Sequence, residues 1–185
     1  LTWEPTVPRL ASHWKISEDK KKFWFRINPD ARFSDGRRVT ADDVVATWFL
    51  RMDETILSPG EQVDFGRFEE PIVESMYIVS VVTKEANWRN LKIFAYDNTV
   101  LPAYYVDQID GSEFLDEYQF KLMPGSGPYT IKDENVVNQE SYKLTRREDF
   151  WGKDLLQNRY RYNFDAIDFF VIKGNDALTF EKYKK

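Results

Sequence analysis

Residues 33–51, FSDGRRVTADDVVATWFLR, combine a turn, a capped helix start and an apolar helix face. Ser34-Asp35-Gly36 is turn chemistry: Asp hydrogen-bonds its own backbone, and Gly adopts positive φ without steric cost. Thr40 stands at the N-cap position, where its hydroxyl meets an orphan N–H, and Asp43 three residues on completes a capping box. Asp42 and Asp43 lie in the first turn, where the helix dipole favours negative charge. Val44, Val45, Trp48, Phe49 and Met52 recur at helical spacing and predict one buried face. Capping accounts for both aspartates, so this stretch reads as scaffold.

Working outward, Pro5 and Pro8 mark an extended lead-in. His13-Trp14-Lys15-Ile16 and Lys22-Phe23-Trp24-Phe25-Arg26-Ile27 flank a polar turn at residues 17–21. Phe23, Phe25 and Ile27 alternate with Trp24 and Arg26, the period of a half-buried strand, so a β-hairpin is predicted. Ser58-Pro59-Gly60 breaks the helical region, and residues 61–74 read as irregular. Met76 to Lys84 is β-branched and apolar on both faces, the pattern of a covered strand. A short helix is predicted from Asn87 through Phe94. Residues 107–117 are acidic and loop-like, and they supply the expected boundary between a first part, 1–107, and a second, 108–185.

Pro124-Gly125-Ser126-Gly127-Pro128 reads as a tight glycine turn feeding Tyr129 to Lys132, with Ser141 to Arg147 as the return strand of a second hairpin. Phe164 to Ile172 is a further strand, and a helix is expected to start near Asp176. The chain opens without Met at Leu1 and stops at Lys184-Lys185 midway through that helical pattern, as a fragment of a longer protein would.

The chain has 185 residues, 42% hydrophobic and 31% charged, a balance typical of globular proteins. No apolar run approaches the roughly 20 residues of a membrane-spanning helix. A net charge of −5, without a basic stripe, argues against nucleic acid as a partner. The absence of cysteine removes disulfides, thiolate catalysis and Cys-based zinc sites. The single histidine, His13, has no serine tied to it, and Gly125-Ser126-Gly127 lacks both the Gly-x-Ser-x-Gly spacing and a following Lys-Ser/Thr. The acid pairs Asp42/Asp43, Glu69/Glu70 and Glu148/Asp149 read as solvated or capping. No catalytic, metal or cofactor constellation emerges. Aromatics are abundant, with 6 Trp, 10 Tyr and 14 Phe. Those outside the predicted elements, Phe65, Phe68, Tyr104 and Tyr105, are the candidates for a ligand-facing wall, local packing being their competing role.

Several motifs occur in an order that resembles the extracellular solute-binding proteins of the peptide/nickel class, the receptors of ABC importers. They are residues 8–14 (PRLASHW), 23–27 (FWFRI), 33–36 (FSDG) with 39–44 (VTADDV), 87–91 (NWRNL), Leu101-Pro102, 125–129 (GSGPY) and 150–152 (FWG). The tail at 162–167 (YNFDAI) is similar to the branch that takes up oligopeptides and microcin C. This resemblance implies a mixed α/β fold, part of a two-lobed class II periplasmic-binding-protein architecture. Residues 1–107 would be the extra subdomain of the peptide-binding class, and 108–185 part of the first ligand-binding lobe. The opposing lobe, the family's opening segment and its Gly-Glu-x-Asp pattern would lie outside Leu1–Lys185.

The resemblance also implies a monomeric, non-enzymatic receptor at the periplasm or cell surface that delivers oligopeptides to an inner-membrane permease. Peptide antibiotics, opine-like molecules and metal chelates are other ligands of the class. The competing reading is a sensory or protein-interaction domain that keeps the receptor fold without transport.

Overall fold

The structure, a computed structural model, describes residues 8–107, 109–118, 121–171 and 180. Strand alternation sets the first layer. In β2 (Lys22–Ile27), Phe23, Phe25 and Ile27 are buried while Arg26 faces solvent; each fully buried side chain is worth about 1.5–3 kcal/mol. β1 (Ala11–Ile16) pairs antiparallel with β2 across the turn at residues 17–21, forming the predicted hairpin. β3 (Ile72–Ser75) and β4 (Ile78–Val82) make a second hairpin, and the sheet runs β1-β2-β4-β3. Phe23 lies opposite Val81 and Phe25 opposite Val79, so the inward side chains of the two central strands stack as cross-strand pairs. Ser80, between those valines, is also buried and donates its hydroxyl to Glu74 at 2.7 Å.

Two expectations for this region are corrected. Residues 61–74 are not irregular, because Pro59 opens helix α2 (Pro59–Phe65) at a position where a missing N–H costs nothing, and β3 follows. Met76 and Tyr77 are the turn of the β3–β4 hairpin, so the covered strand is shorter than the apolar run.

Helix α1 (Ala41–Met52) lies on this sheet through Val44 and Trp48, which join Phe33, Phe65, Phe68 and Phe94 in the core. Phe25 stacks on Phe94 with centroids 5.5 Å apart, and Phe68 meets Phe94 edge-on at 5.2 Å. The predicted apolar face is only partly right. Phe49 is half exposed, whereas Ala46, Thr47 and Leu50 are buried. The reason is a second covering layer: Ala46 and Leu50 pack against Ala103 and Val106 of α4 (Ala103–Val106). α3 (Asn90–Tyr96) leads toward it.

The acidic stretch expected to be a loop is helical over Gly111–Glu113 and continues as a π-helical turn, Phe114–Tyr118. It docks on the segment after α1: Gly111 N–H donates to Asp53 at 3.1 Å and Ser112 N–H to Thr55 Oγ1 at 2.9 Å.

In the second sheet, β7 (Ser141–Arg146) is central, with β8 (Ala166–Phe170) on one edge. β5 (Tyr129–Thr130) and β6 (Val136–Val137) follow one another along its other edge. The second hairpin is therefore present, with its outgoing strand broken in two. β8 is shorter than the predicted 164–172, and the helix expected from Asp176 lies outside the described residues.

Gly111 is required by close approach. A Cβ there would sit 2.2 Å from the backbone nitrogen of Ile56. Gly111→Ala should lower unfolding stability by about 1–3 kcal/mol, read as the urea midpoint of the full-length protein. An unchanged midpoint would contradict the docking described.

Candidate functional site

Two loops and a short helix, far apart in sequence, meet between the two sheets. The first is the turn at Phe33–Gly36. Gly36 has φ +87°, as its turn requires, and Asp35 accepts Arg37 N–H at 3.0 Å. The second is residues 124–128, whose Gly125 carbonyl accepts Ser34 N–H at 2.9 Å. The third is α4 with its two tyrosines.

Arg147 fixes the first two together. Its guanidinium is buried and donates to the carbonyls of Gly125 (3.2 Å), Gly127 (3.1 Å) and Phe33 (3.2 Å). Its remaining donors pair with Asp149 at 3.0 and 3.1 Å, and that hydrogen-bonded pairing holds the Asp149 carboxyl below its usual range. Trp151 Nε1–H adds a bond to the Ser126 carbonyl at 2.9 Å. The glycine loop thus works through its carbonyls. Residues 126–128 bend directly into β5, but neither Gly125 nor Gly127 has positive φ and a Cβ on either would meet open space, so arginine rather than glycine's conformational freedom holds this bend.

Asp43 fixes α4. Only 4% exposed, its carboxylate accepts Thr40 N–H at 2.7 Å, the cap predicted from sequence, and Ala103 N–H at 2.7 Å. Thr47 repeats the tether one turn on, accepting Leu101 N–H at 2.8 Å while donating to the Asp43 carbonyl at 2.7 Å. Burial raises the Asp43 carboxyl above its ordinary value of 3.8 in spite of these hydrogen bonds.

The tether sets Tyr104 and Tyr105 at the junction. Tyr104 is 40% exposed, donates its hydroxyl to Asp35 and lies under the Arg37 guanidinium at 3.9 Å, a cation–π contact. Burial, then the Asp35 hydrogen bond, pushes the Tyr104 phenol up, so it stays a neutral donor. Tyr105 is half-buried and meets Tyr118 edge-on at 5.7 Å, with Lys121 over the Tyr118 ring at 3.9 Å. Phe65 and Phe68 do not belong here. Both are core residues, the first at the end of α2 and the second bridged to Thr83. Their loop assignment was the error, since a helix and a bridge bring them inward.

His13 is exposed on β1, 3.1 Å from Ser12 Oγ, and that hydroxyl donates to the Arg26 carbonyl. A hydroxyl committed to a carbonyl does not hand its proton to imidazole. Among the described residues no three His, Cys, Asp or Glu side chains cluster as a metal site. The junction can bind through aromatic side chains and the Asp35–Arg37 pair. The roles of Arg147, Thr47 and the Asp43–Ala103 bond lie beyond any local pattern; only the Thr40–Asp43 spacing carried a signal.

Residues 5–180 match the family described as bacterial extracellular solute-binding proteins, family 5 Middle. Among relatives, the peptidoglycan-binding protein YepA of Agrobacterium fabrum is 29% identical over 176 residues, 95% of this chain and 27% of that protein. Among solved structures, the periplasmic oligopeptide-binding protein of Thermotoga maritima with bound mannohexaose superposes with a TM-score of 0.76 at 18% identity. It is matched over 96% of this chain and 31% of its own. The oligopeptide-binding protein AppA of Bacillus subtilis in complex with a nonapeptide gives 0.71 at 20% identity, over 94% and 32%. The chain therefore spans between a quarter and a third of the length of these proteins.

Asp43→Asn leaves one of two buried N–H groups without its acceptor and should cost about 1–3 kcal/mol. The folded-state pKa is raised, so the native state holds more protons than the unfolded one between 3.8 and the raised value. Asp43 therefore favours folding most below 3.8 and loses that contribution as pH rises through the folded pKa. The stability gap between wild type and the variant should narrow with rising pH in that window, measured by urea unfolding. A gap that widens would contradict the assignment.

Proposed function

Since this chain belongs to the bacterial extracellular solute-binding proteins of family 5, we propose that the protein containing it is the substrate-binding component of an ABC importer. The observation that carries the proposal is the family match across residues 5–180. Its ligands are oligopeptides or related compounds, delivered to a permease in the inner membrane by a monomeric receptor at the periplasm or cell surface. The protein performs no chemistry on its ligand. Residues 1–107 form the extra subdomain and 108–185 part of the first lobe, and an opposing lobe elsewhere in the protein closes on the ligand by a hinge motion.

Tyr104 and Tyr105 supply the ligand-facing wall of this part. Aromatic faces suit a receptor that tolerates varied side chains, because they offer contact area without demanding one hydrogen-bonding pattern. Backbone hydrogen bonds and bridging waters give affinity to peptides whatever their sequence. The relatives support this breadth. The YepA protein is named for peptidoglycan, AppA holds a nonapeptide, and the Thermotoga protein holds mannohexaose.

Native mass spectrometry of the full-length protein, purified gently enough to keep its ligand, tests the proposal. A heterogeneous added mass that fragments to short peptides is the expected result. One discrete non-peptide adduct would replace the substrate class. No adduct, even after soaking in a peptide mixture, would overturn transport in favour of a sensory or interaction domain.

A further inference from the structure

A cleft of about 470 Å³ opens beside the second sheet, between the β7–β8 connection and the end of β7. Tyr104 and Tyr105 do not line it. Five cations do: Arg146, Arg147, Lys153, Arg159 and Arg161, with Glu148 the one acid among the lining residues. Two of the five are already neutralised, Arg146 by Asp165 and Arg147 by Asp149. Five cations against three carboxylates leave the cleft at +2, on a chain whose net charge is −5.

The surplus sits on three residues without an ion-pair partner among the described residues. Lys153 donates to the Glu148 backbone carbonyl at 3.2 Å and is close enough to Asp149 to help hold that carboxyl low, without a direct ion pair. The Arg159 guanidinium lies 5.1 Å from the centre of the Tyr160 ring. Arg161 makes a backbone bond alone, its N–H donating to the Asn158 carbonyl at 2.9 Å.

The backbone that presents these cations is held in an unfavourable conformation. Tyr160 and Tyr162 have φ of 66° and 57°, the left-handed region that non-glycine residues avoid. Asn158 anchors the segment by donating its side-chain amide to the Gly152 carbonyl at 2.8 Å. Tyr162 packs edge-on against Phe150 at 5.9 Å. The result is a pinned Arg-Tyr-Arg-Tyr strap whose guanidiniums are kept apart from carboxylates. Backbone outliers of this kind concentrate where a site needs a fixed geometry.

We infer that this cleft is a binding site for a phosphate group. A phosphate carries about −1.5 to −2 charge near neutral pH, which matches the surplus, and offers several strong acceptor oxygens. A single carboxylate would leave one positive charge uncompensated. Guanidinium forks suit phosphate oxygens, and Lys153 adds a point charge. The rings of Phe150, Tyr160 and Tyr162 line the same cleft and can flank an apolar or planar substituent on the phosphate. The phosphate comes either from a soluble molecule or from a lipid headgroup.

The test has two arms, both on the full-length protein. Inorganic phosphate is titrated calorimetrically against chloride at matched ionic strength. Vesicles containing phosphatidic acid, whose headgroup is a phosphate monoester, are compared with phosphatidylcholine vesicles by co-sedimentation. Binding in the first arm identifies a soluble source; binding in the second alone identifies a headgroup. Arg159→Gln combined with Arg161→Gln should weaken binding at least about tenfold, since it removes two charge-assisted contacts. Glu148→Gln removes the opposing charge and should tighten it. No phosphate-specific binding in either arm, undiminished binding in the double variant, or no tightening by Glu148→Gln overturns the inference.

Discussion

The carboxylate of Asp43 is the constraint on which the arrangement of the first part depends. It is buried and shared between two backbone donors, Thr40 N–H and Ala103 N–H, 60 residues apart from its far partner. A dry carboxylate with two good hydrogen bonds is tolerable, whereas one deprived of either leaves a buried polar group unpaired. The start of α1 and the start of α4 are therefore fixed by one side chain. With both ends set, Val44 and Trp48 meet the sheet while Ala46 and Leu50 meet α4. Arg147 plays the corresponding part for the second sheet, drawing the carbonyls of Phe33, Gly125 and Gly127 around one guanidinium.

These two buried charges explain how a junction built from loops acquires a defined shape. Loops carry little packing of their own, and here the positions that matter are tied to polar atoms in the interior. Tyr104 follows Ala103 directly and receives its place from the Asp43 bond. Asp35 and Arg37, which hold its hydroxyl and its ring, belong to the turn strapped by Arg147. The proposed ligand wall thus stands on a rigid base on one side, as a receptor with a separate closing lobe would need. Fold alone does not name the ligand, since structures of this architecture hold a nonapeptide in one case and mannohexaose in another.

Where the sequence carried a local rule, it was legible. The alternation of Phe23, Phe25 and Ile27 revealed β2, and the Thr40–Asp43 spacing revealed the start of α1. The family resemblance was legible for the same reason: its motifs are caps, turns and strand patterns at fixed offsets. What escaped depends on distant partners. The covering of Ala46 and Leu50 by α4 exposes Phe49 instead, and no helical period within α1 reports a second layer. Phe65 and Phe68 read as loop aromatics because Pro59-Gly60 looked like a breaker, although proline is at home in a helix's first turn. The 107–117 stretch read as a loop from its acids, yet Asp110 caps a helical turn by accepting Glu113 N–H at 2.8 Å. Gly125 and Gly127 marked the bend before β5, but nothing local reports that their carbonyls meet an arginine 22 and 20 positions further along the chain.

Amide hydrogen exchange on the full-length protein, with and without a saturating mixture of short peptides, tests the central claim that this junction faces the ligand. Exchange should slow at 33–37, 103–107 and 125–127 together when peptide is bound. Protection confined to other segments, with these three unchanged, would contradict it.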